Sequence, residues 1–190
     1  MKKHIAIFAS GEGTNAENIA RYFSDHKNIE VTIILSDQKN AGVLKRAANL
    51  NIRVCVFTTH ELNDTDEIVQ LLKELKIDLI VLAGFLKLMP EKIIHDFKGR
   101  IINIHPALLP KFGGKGMYGM NVHEAVYNAK EKETGITIHH VNEKFDEGEI
   151  IFQEKFAVDE KDTPGKILEK IRQLELEHFP GVIEEILMER

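Results

Sequence analysis

Asp78-Leu79-Ile80-Val81-Leu82-Ala83 is an almost unbroken apolar run of strand length that ends at Gly84. A strand with one wet face alternates in polarity, whereas a continuous run belongs to a parallel sheet covered on both faces. Residues 4–9, 31–35, 54–57 and 100–104 are further runs of the same kind. Between them lie stretches with helical spacing. Residues 14–23 carry Ile19, Tyr22 and Phe23, and residues 42–50 form a second such stretch. Asp64 and Thr65 stand where a cap is wanted before Ile68, Leu71, Leu72 and Leu75, and Pro90 opens residues 90–97. Strand–helix alternation marks an α/β fold with right-handed crossovers.

Beyond residue 105 the pattern changes. Residues 106–120 form a long loop rich in Gly and Lys, and residues 122–129 a short helix. Residues 135–141 and 149–156 read as strands on either side of an acidic turn, so an antiparallel hairpin-like element is expected. Asp162-Thr163-Pro164 opens a last helix through Ile167, Leu168, Ile171 and Leu174, which Pro180 is expected to break or kink before residues 182–187. The expected fold is α/β: a Rossmann-like, mostly parallel twisted sheet with helices on both faces and a mixed antiparallel C-terminal part. A single domain over residues 1–190 is expected, with a Rossmann-like half at 1–100 and a second half at 101–190.

Net charge is −5, with acids and bases interspersed, which argues against a nucleic acid as the main ligand. After Met1-Lys2-Lys3 the apolar run is too short for an export signal or a membrane span. The single cysteine, Cys55, cannot form an internal disulfide and fits a reducing compartment. A cytoplasmic protein that acts on small molecules, as a monomer or homodimer, is expected, with neither membrane nor nucleic acid as partner.

Ser10-Gly11-Glu12-Gly13-Thr14-Asn15-Ala16 joins the first strand to the first helix. Glycines let the backbone turn sharply, and a helix N-terminus offers N–H groups to an anion. The spelling also satisfies G-x-G-x-x-A, and Asp37 ends the second strand where a dinucleotide site places its ribose-binding acid. A small phosphate ester, a dinucleotide and a bare turn are all open readings. Thr14 and Asn15 favour the first, because their side chains can reach a terminal phosphate.

Asn103 and His105 stand two apart at the end of the run Arg100-Ile101-Ile102-Asn103-Ile104, before Pro106. Residues i and i+2 of a strand share a face, so both side chains point one way while Ile104 enters a core. Pro106 ends the ladder, which puts the pair at the C-terminal sheet edge where open α/β folds bind ligands. With Asp146 they suit acyl transfer to an amine. Asn103 and a protonated His105 would hold the oxyanion, and Asp146 would raise the imidazole pKa. The amine proton would leave through Asp146, His105 or a water. A structural histidine and a turn aspartate are the plainer readings. Zinc is not expected, because His139 and His140 are adjacent and face opposite ways in a strand. No Gly-x-Ser-x-Gly elbow marks a serine hydrolase.

These motifs together resemble the 10-formyltetrahydrofolate-dependent formyltransferase family over essentially the whole chain. The most specific pieces are Ser10 to Asn15, Leu82-Ala83-Gly84-Phe85, Asn103 to Lys111, and Phe145-Asp146-Glu147-Gly148-Glu149-Ile150-Ile151. The resemblance implies 10-formyltetrahydrofolate as a cosubstrate and no metal. Within the family, the Gly-x-Gly-Thr-Asn loop points to the branch that formylates the amine of 5-phosphoribosylglycinamide (GAR) in purine (IMP) biosynthesis. Asn103, His105 and Asp146 match the catalytic trio, and Gly13, Thr14 and Asn15 the substrate phosphate loop. Leu86, Lys87, Leu88 and Met89 match the pterin-pocket segment, and Asn142, Glu143, Lys144, Phe145 and Asp146 the loop closing over the pterin, with Asn103 also at the folate. Arg172 and Glu175, aligned through Pro180, match ribonucleotide contacts.

The chain departs from the family in places. No Arg stands in residues 63–67, where the family often has a folate contact. The loop from Phe112 to Met120 is longer than usual, Asn121 replaces a His seen in some members while His123 matches the next one, and Ala107 stands where Ser is common. Relatives that act on methionyl-tRNA or hydrolyse the folate carry additional domains, and neither activity is expected here. An NAD(P)-binding module built on the glycine loop is the rival reading.

Overall fold

The computed structural model describes residues 2–189. The apolar runs form β1 (Lys3–Phe8), β2 (Ile29–Ser36), β3 (Arg53–Val56), β4 (Leu79–Leu82) and β5 (Ile101–His105), parallel in the order β3-β2-β1-β4-β5. β6 (Glu133–His140) and β7 (Ile150–Ala157) continue the same sheet antiparallel, completing seven strands. The helices are α1 (Thr14–Tyr22), α2 (Gly42–Asn49), α3 (Thr59–Asn63), α4 (Glu67–Glu74), α5 (Glu91–Asp96), α6 (Met120–Asn128) and α7 (Pro164–Met188). Alternate strand residues feed two apolar clusters. Ile5, Ile7, Val81, Ile102 and Ile104 pack with Ile19 of α1 and with Ile167, Ile171 and Phe179 of α7. Ala6, Phe8, Ile80, Leu82 and Ile101 pack with Ile68 and Leu72 of α4 and Ile93 of α5. Both sheet faces are therefore covered, which is why the strands read as continuous apolar runs.

Two expectations need correction. Asp64 does not cap the helix bearing Ile68, whereas Thr65 Oγ1 does accept from its first N–H, that of Glu67, at 3.4 Å. A short helix, α3, precedes it, and Thr58 caps α3 in a reciprocal box with Glu61. Asp64 is the C-cap of α3, and the N-cap residue of α4, Asp66, makes no side-chain bond to the helix. Nor does α7 end at Pro180, which lies inside a helix of 25 residues. A proline in a helix interior costs about 3 kcal/mol. Beside it Phe179, Val182, Ile183 and Leu187 are buried, each stabilising the fold by about 1.5–3 kcal/mol. Burial outweighs the lost bond. The Leu176 carbonyl, which would otherwise accept from residue 180, accepts from Asn18 Nδ2 of α1 at 2.8 Å.

Among the described residues no helix is long and apolar enough to cross a membrane.

Candidate active site

β1, β4 and β5 run in parallel and end at one sheet edge, and the loops after them open onto one cavity of about 690 Å³. The glycine loop forms one wall. Gly13 has φ +75°, and a Cβ there would lie 2.4 Å from Val43, so only glycine fits. α2 braces the loop: Val43 N–H donates to the Gly11 carbonyl at 3.1 Å, and Arg46 Nε to the Glu12 carbonyl at 2.7 Å. No side chain among the described residues caps the N-terminus of α1. A helix start leaves its first N–H groups without helical partners. Gly13, Thr14 and Asn15 line the cavity there, where an anion finds donors and the positive dipole end.

α7 closes the same end with Arg172 and Glu175. Asn15 Nδ2 donates to Glu175 Oε2 at 2.9 Å, tying the phosphate loop to this acid. Burial pushes the Glu175 carboxyl above its ordinary value, against the opposing pull of Asn15 and Arg172.

The trio converges at the middle of the cavity. Asn103 Nδ2 lies 3.5 Å from Asp146 Oδ1, and His105 Nδ1 lies 3.5 Å from Asp146 Oδ2. The second ring nitrogen, His105 Nε2, faces the Phe112 carbonyl at 2.8 Å. Asp146 adopts φ +58°, a left-handed conformation that Asp tolerates better than most residues. The Gly114 N–H donates to its Oδ2 at 2.9 Å. The loop from Phe112 to Met120 thus places backbone groups on two members of the trio. A Cβ at Gly113 would stand 3.2 Å from Asp146 Cβ and 2.6 Å from Leu109 Cδ2, which shows how closely the loop approaches.

Electrostatics correct one expectation. Burial pulls the His105 pKa down, and although Asp146 and the Phe112 carbonyl pull it up, the net shift is below the ordinary 6.5. The free site therefore holds a mostly neutral imidazole at neutral pH rather than the imidazolium expected from Asp146 alone. Burial works to raise the Asp146 carboxyl, but the groups around it, the Gly114 N–H among them, outweigh burial, so the group sits below its ordinary 3.8 and is ionised.

His139 belongs to this site, a place the sequence reading does not give it. It is 2% exposed and pairs across the strands with Asn103. Its Nδ1 faces the His140 carbonyl at 2.8 Å, which fixes the hydrogen on Nδ1 and leaves Nε2 to accept from Asn103 Nδ2 at 3.1 Å. His139 Nε2 also lies 3.6 Å from Asp146 Oδ1. A signal for it stood in the sequence. Ile102-Asn103-Ile104-His105 and Ile136-Thr137-Ile138-His139 repeat one alternation of apolar and polar residues.

The folate-segment residues line the same cavity beside the glycine loop, where the Leu86 N–H donates to Ser10 Oγ at 3.3 Å. Leu86, Lys87, Leu88 and Met89 line the cavity, as do Asn142, Lys144 and Phe145. Glu143 does not; it lines an adjoining pocket of about 530 Å³ with Lys87, Leu88 and Met89. Lys87 Nζ is bonded to Thr59 Oγ1 and lies 3.5 Å from Asp37 Oδ2. Asp37 also accepts from Gln38 Nε2 at 2.9 Å. Its Oδ2 is held by these partners and the residue does not line the cavity, which weakens the support for a dinucleotide. Among the described residues no cluster of His, Cys, Asp and Glu is arranged to hold a metal ion.

Residues 3–183 match the family described as "Formyl transferase". A phosphoribosylglycinamide formyltransferase of Arabidopsis thaliana is 37% identical over the whole chain, which spans 67% of that protein; the chain spans 62% of a Vigna unguiculata protein of the same name. The Bacillus subtilis protein of that name is 34% identical, with 97% of this chain and 95% of the relative covered. The crystal structure of phosphoribosylglycinamide formyltransferase from Bacillus halodurans superposes with a TM-score of 0.87 at 37% identity, over 97% of this chain and 95% of that one. With this match across nearly its full length, the chain belongs to the formyl transferase family.

Proposed function

We propose that this protein transfers the formyl group of 10-formyltetrahydrofolate to the amine of GAR, giving formyl-GAR and tetrahydrofolate in purine biosynthesis. The observation that carries the proposal is the meeting of Asn103, His105 and Asp146 in one cavity whose far end is an uncapped glycine-loop helix. The domain is proposed to divide its work: residues 1–100 hold the phosphate, and residues 101–190 supply the trio. Gly13, Thr14 and Asn15 bind the GAR phosphate, and Arg172 and Glu175 meet its ribonucleotide. Leu86, Lys87, Leu88, Met89, Asn142, Lys144 and Phe145 receive the folate, with Glu143 at the adjoining pocket. Lys87, bonded to Thr59, lines the cavity, and Lys92, bonded to the Thr65 carbonyl, is a cation at the segment where the family often has its arginine. The reaction is proposed for the cytoplasm and requires no metal.

The amine attacks the formyl carbon and forms a tetrahedral centre with an oxyanion and a positive nitrogen. Neutral His105 takes the ammonium proton on Nδ1, since Nε2 carries its hydrogen toward Phe112. The imidazolium then faces Asp146, whose carboxylate stabilises it. Asn103 turns its weaker N–H, resting at 3.5 Å from Asp146, to the oxyanion. His105 returns the proton to N10 of the folate as the C–N10 bond breaks and the carbonyl reforms. The lowered pKa of His105 suits this base-then-acid cycle.

An absorbance assay for tetrahydrofolate, run with and without GAR, tests the reading. GAR-dependent release is expected. Release at the same rate without GAR marks a hydrolase, and saturable NADH binding with no binding of a folate analogue marks the dinucleotide alternative.

A further inference from the structure

His105, Thr137 and Gln153 stand directly opposite one another on β5, β6 and β7. Cross-strand partners share a face, so three polar side chains form one row across the sheet. Thr137 is fully buried. Its hydroxyl accepts from the Leu109 N–H at 3.0 Å and from Gln153 Nε2 at 2.9 Å, and donates to the Ala107 carbonyl at 2.7 Å. A hydroxyl has one hydrogen and two lone pairs, so this one is saturated. Gln153 Nε2 gives its other hydrogen to the Leu109 carbonyl at 3.1 Å. Three bonds from two strands thus fix the backbone at residues 107–109, and the fourth joins Gln153 to Thr137. That segment begins just after His105 and leads to Phe112, whose carbonyl comes back to His105 Nε2 at 2.8 Å.

We propose that Gln153 is a positioning residue for His105: by saturating Thr137 and holding Leu109, it sets where the Phe112 carbonyl meets the ring and so which ring nitrogen carries the hydrogen. A carbonyl can only accept, so its placement at Nε2 reserves the Nδ1 lone pair for the side that faces Asp146. If the turn relaxed, the hydrogen could move to Nδ1, beside the carboxylate, and the base would lose the lone pair it needs. Gln153 lines no part of the cavity and touches no reacting atom; it acts through Thr137 and the turn. The inference rests on His105 being the base of the proposed reaction.

Two variants test it. Gln153→Leu removes both donated bonds, and Gln153→Glu keeps the shape but presents an ionised carboxylate with no hydrogen to give. Both are expected to fold, to lower kcat on the order of 10²-fold and to leave KM for both substrates unchanged. Nitrogen-15 NMR of the His105 ring should show the hydrogen on Nε2 in the wild type and a shifted tautomer balance in the variants. Acid pH should restore part of the Gln153→Glu activity relative to wild type, because a protonated carboxyl donates again, and should not restore Gln153→Leu. If Gln153→Glu does not fold, Gln153→Leu carries the kcat and tautomer comparisons alone. Wild-type kcat with an unchanged His105 tautomer, even with a lower Tm, would overturn the proposal. A wild type that transfers no formyl group would instead overturn the functional reading, and the tautomer measurement would still decide whether Gln153 acts on the ring.

Discussion

Asn103 Nδ2 lies 3.1 Å from His139 Nε2, its cross-strand neighbour on β6. Chemistry sets this orientation, because an amide oxygen in that place would face both a lone pair and the Asp146 carboxylate. His139 thus aims the donor of the trio without being one of its three members. His139→Leu should leave the Asn103 amide without its buried partner, costing about 1–3 kcal/mol of stability. A fall in kcat that exceeds any rise in KM is expected. Steady-state kinetics and urea unfolding of the variant check both effects.

Gly13 is the position in the phosphate cradle with the least freedom. Its φ of +75° disfavours any side chain, and Val43 occupies the space a Cβ would need. Gly13→Ala should push the loop off α2 and disperse the N–H groups at the start of α1. The KM for GAR should rise far more than the KM for the folate. Equal rises in both would place the phosphate elsewhere.

The pH profile follows from the depressed pKa of His105. A base that must be neutral loses activity as pH falls through its folded value. The acid limb of kcat/KM should therefore have its midpoint below 6.5, the ordinary value for the group, and His105→Ala should abolish that limb. Activity that rises as pH falls through this range would mean that the imidazolium, not the imidazole, begins the cycle.

His123 gives a separate pH effect on stability. It is 1% exposed, and burial, followed by Arg172 and His105, holds its pKa at about 4 against an ordinary 6.5. Between these values the unfolded chain binds a proton that the folded chain refuses, so stability falls as pH drops from 6.5 toward 4. His105 acts in the same direction; raised Glu175 acts in the opposite one. His123→Gln should flatten the slope of unfolding free energy over this range in a urea titration. An unchanged slope would remove His123 as its source.

Much of the frame was legible because burial on both faces writes itself as composition. Leu79 to Leu82 could scarcely be anything but a central parallel strand, and Asn103 and His105 share a face by the period of a strand alone. Other features depended on groups far apart in the chain. Thr58 and Glu61 spell a capping box, but α3 is too short to show helical periodicity. Pro180 reads locally as a break, and only the packing of Phe179, Ile183 and Leu187 carries the helix through it. The depressed His105 pKa depends on how deeply the sheet and the residue 111–119 loop bury the ring. The Gly114 N–H on Asp146 joins residues 32 apart, a contact that no local pattern announces.

Turnover by Asp146→Asn and His105→Ala, with GAR and 10-formyltetrahydrofolate both saturating, is the most direct measurement of whether these side chains act on one carbonyl. Each purified, folded variant should lose nearly all of kcat, with Asn103→Ala losing on the order of 10²–10³-fold. Wild-type-like turnover in either of the first two would contradict the convergence of these groups on the transferred formyl carbon.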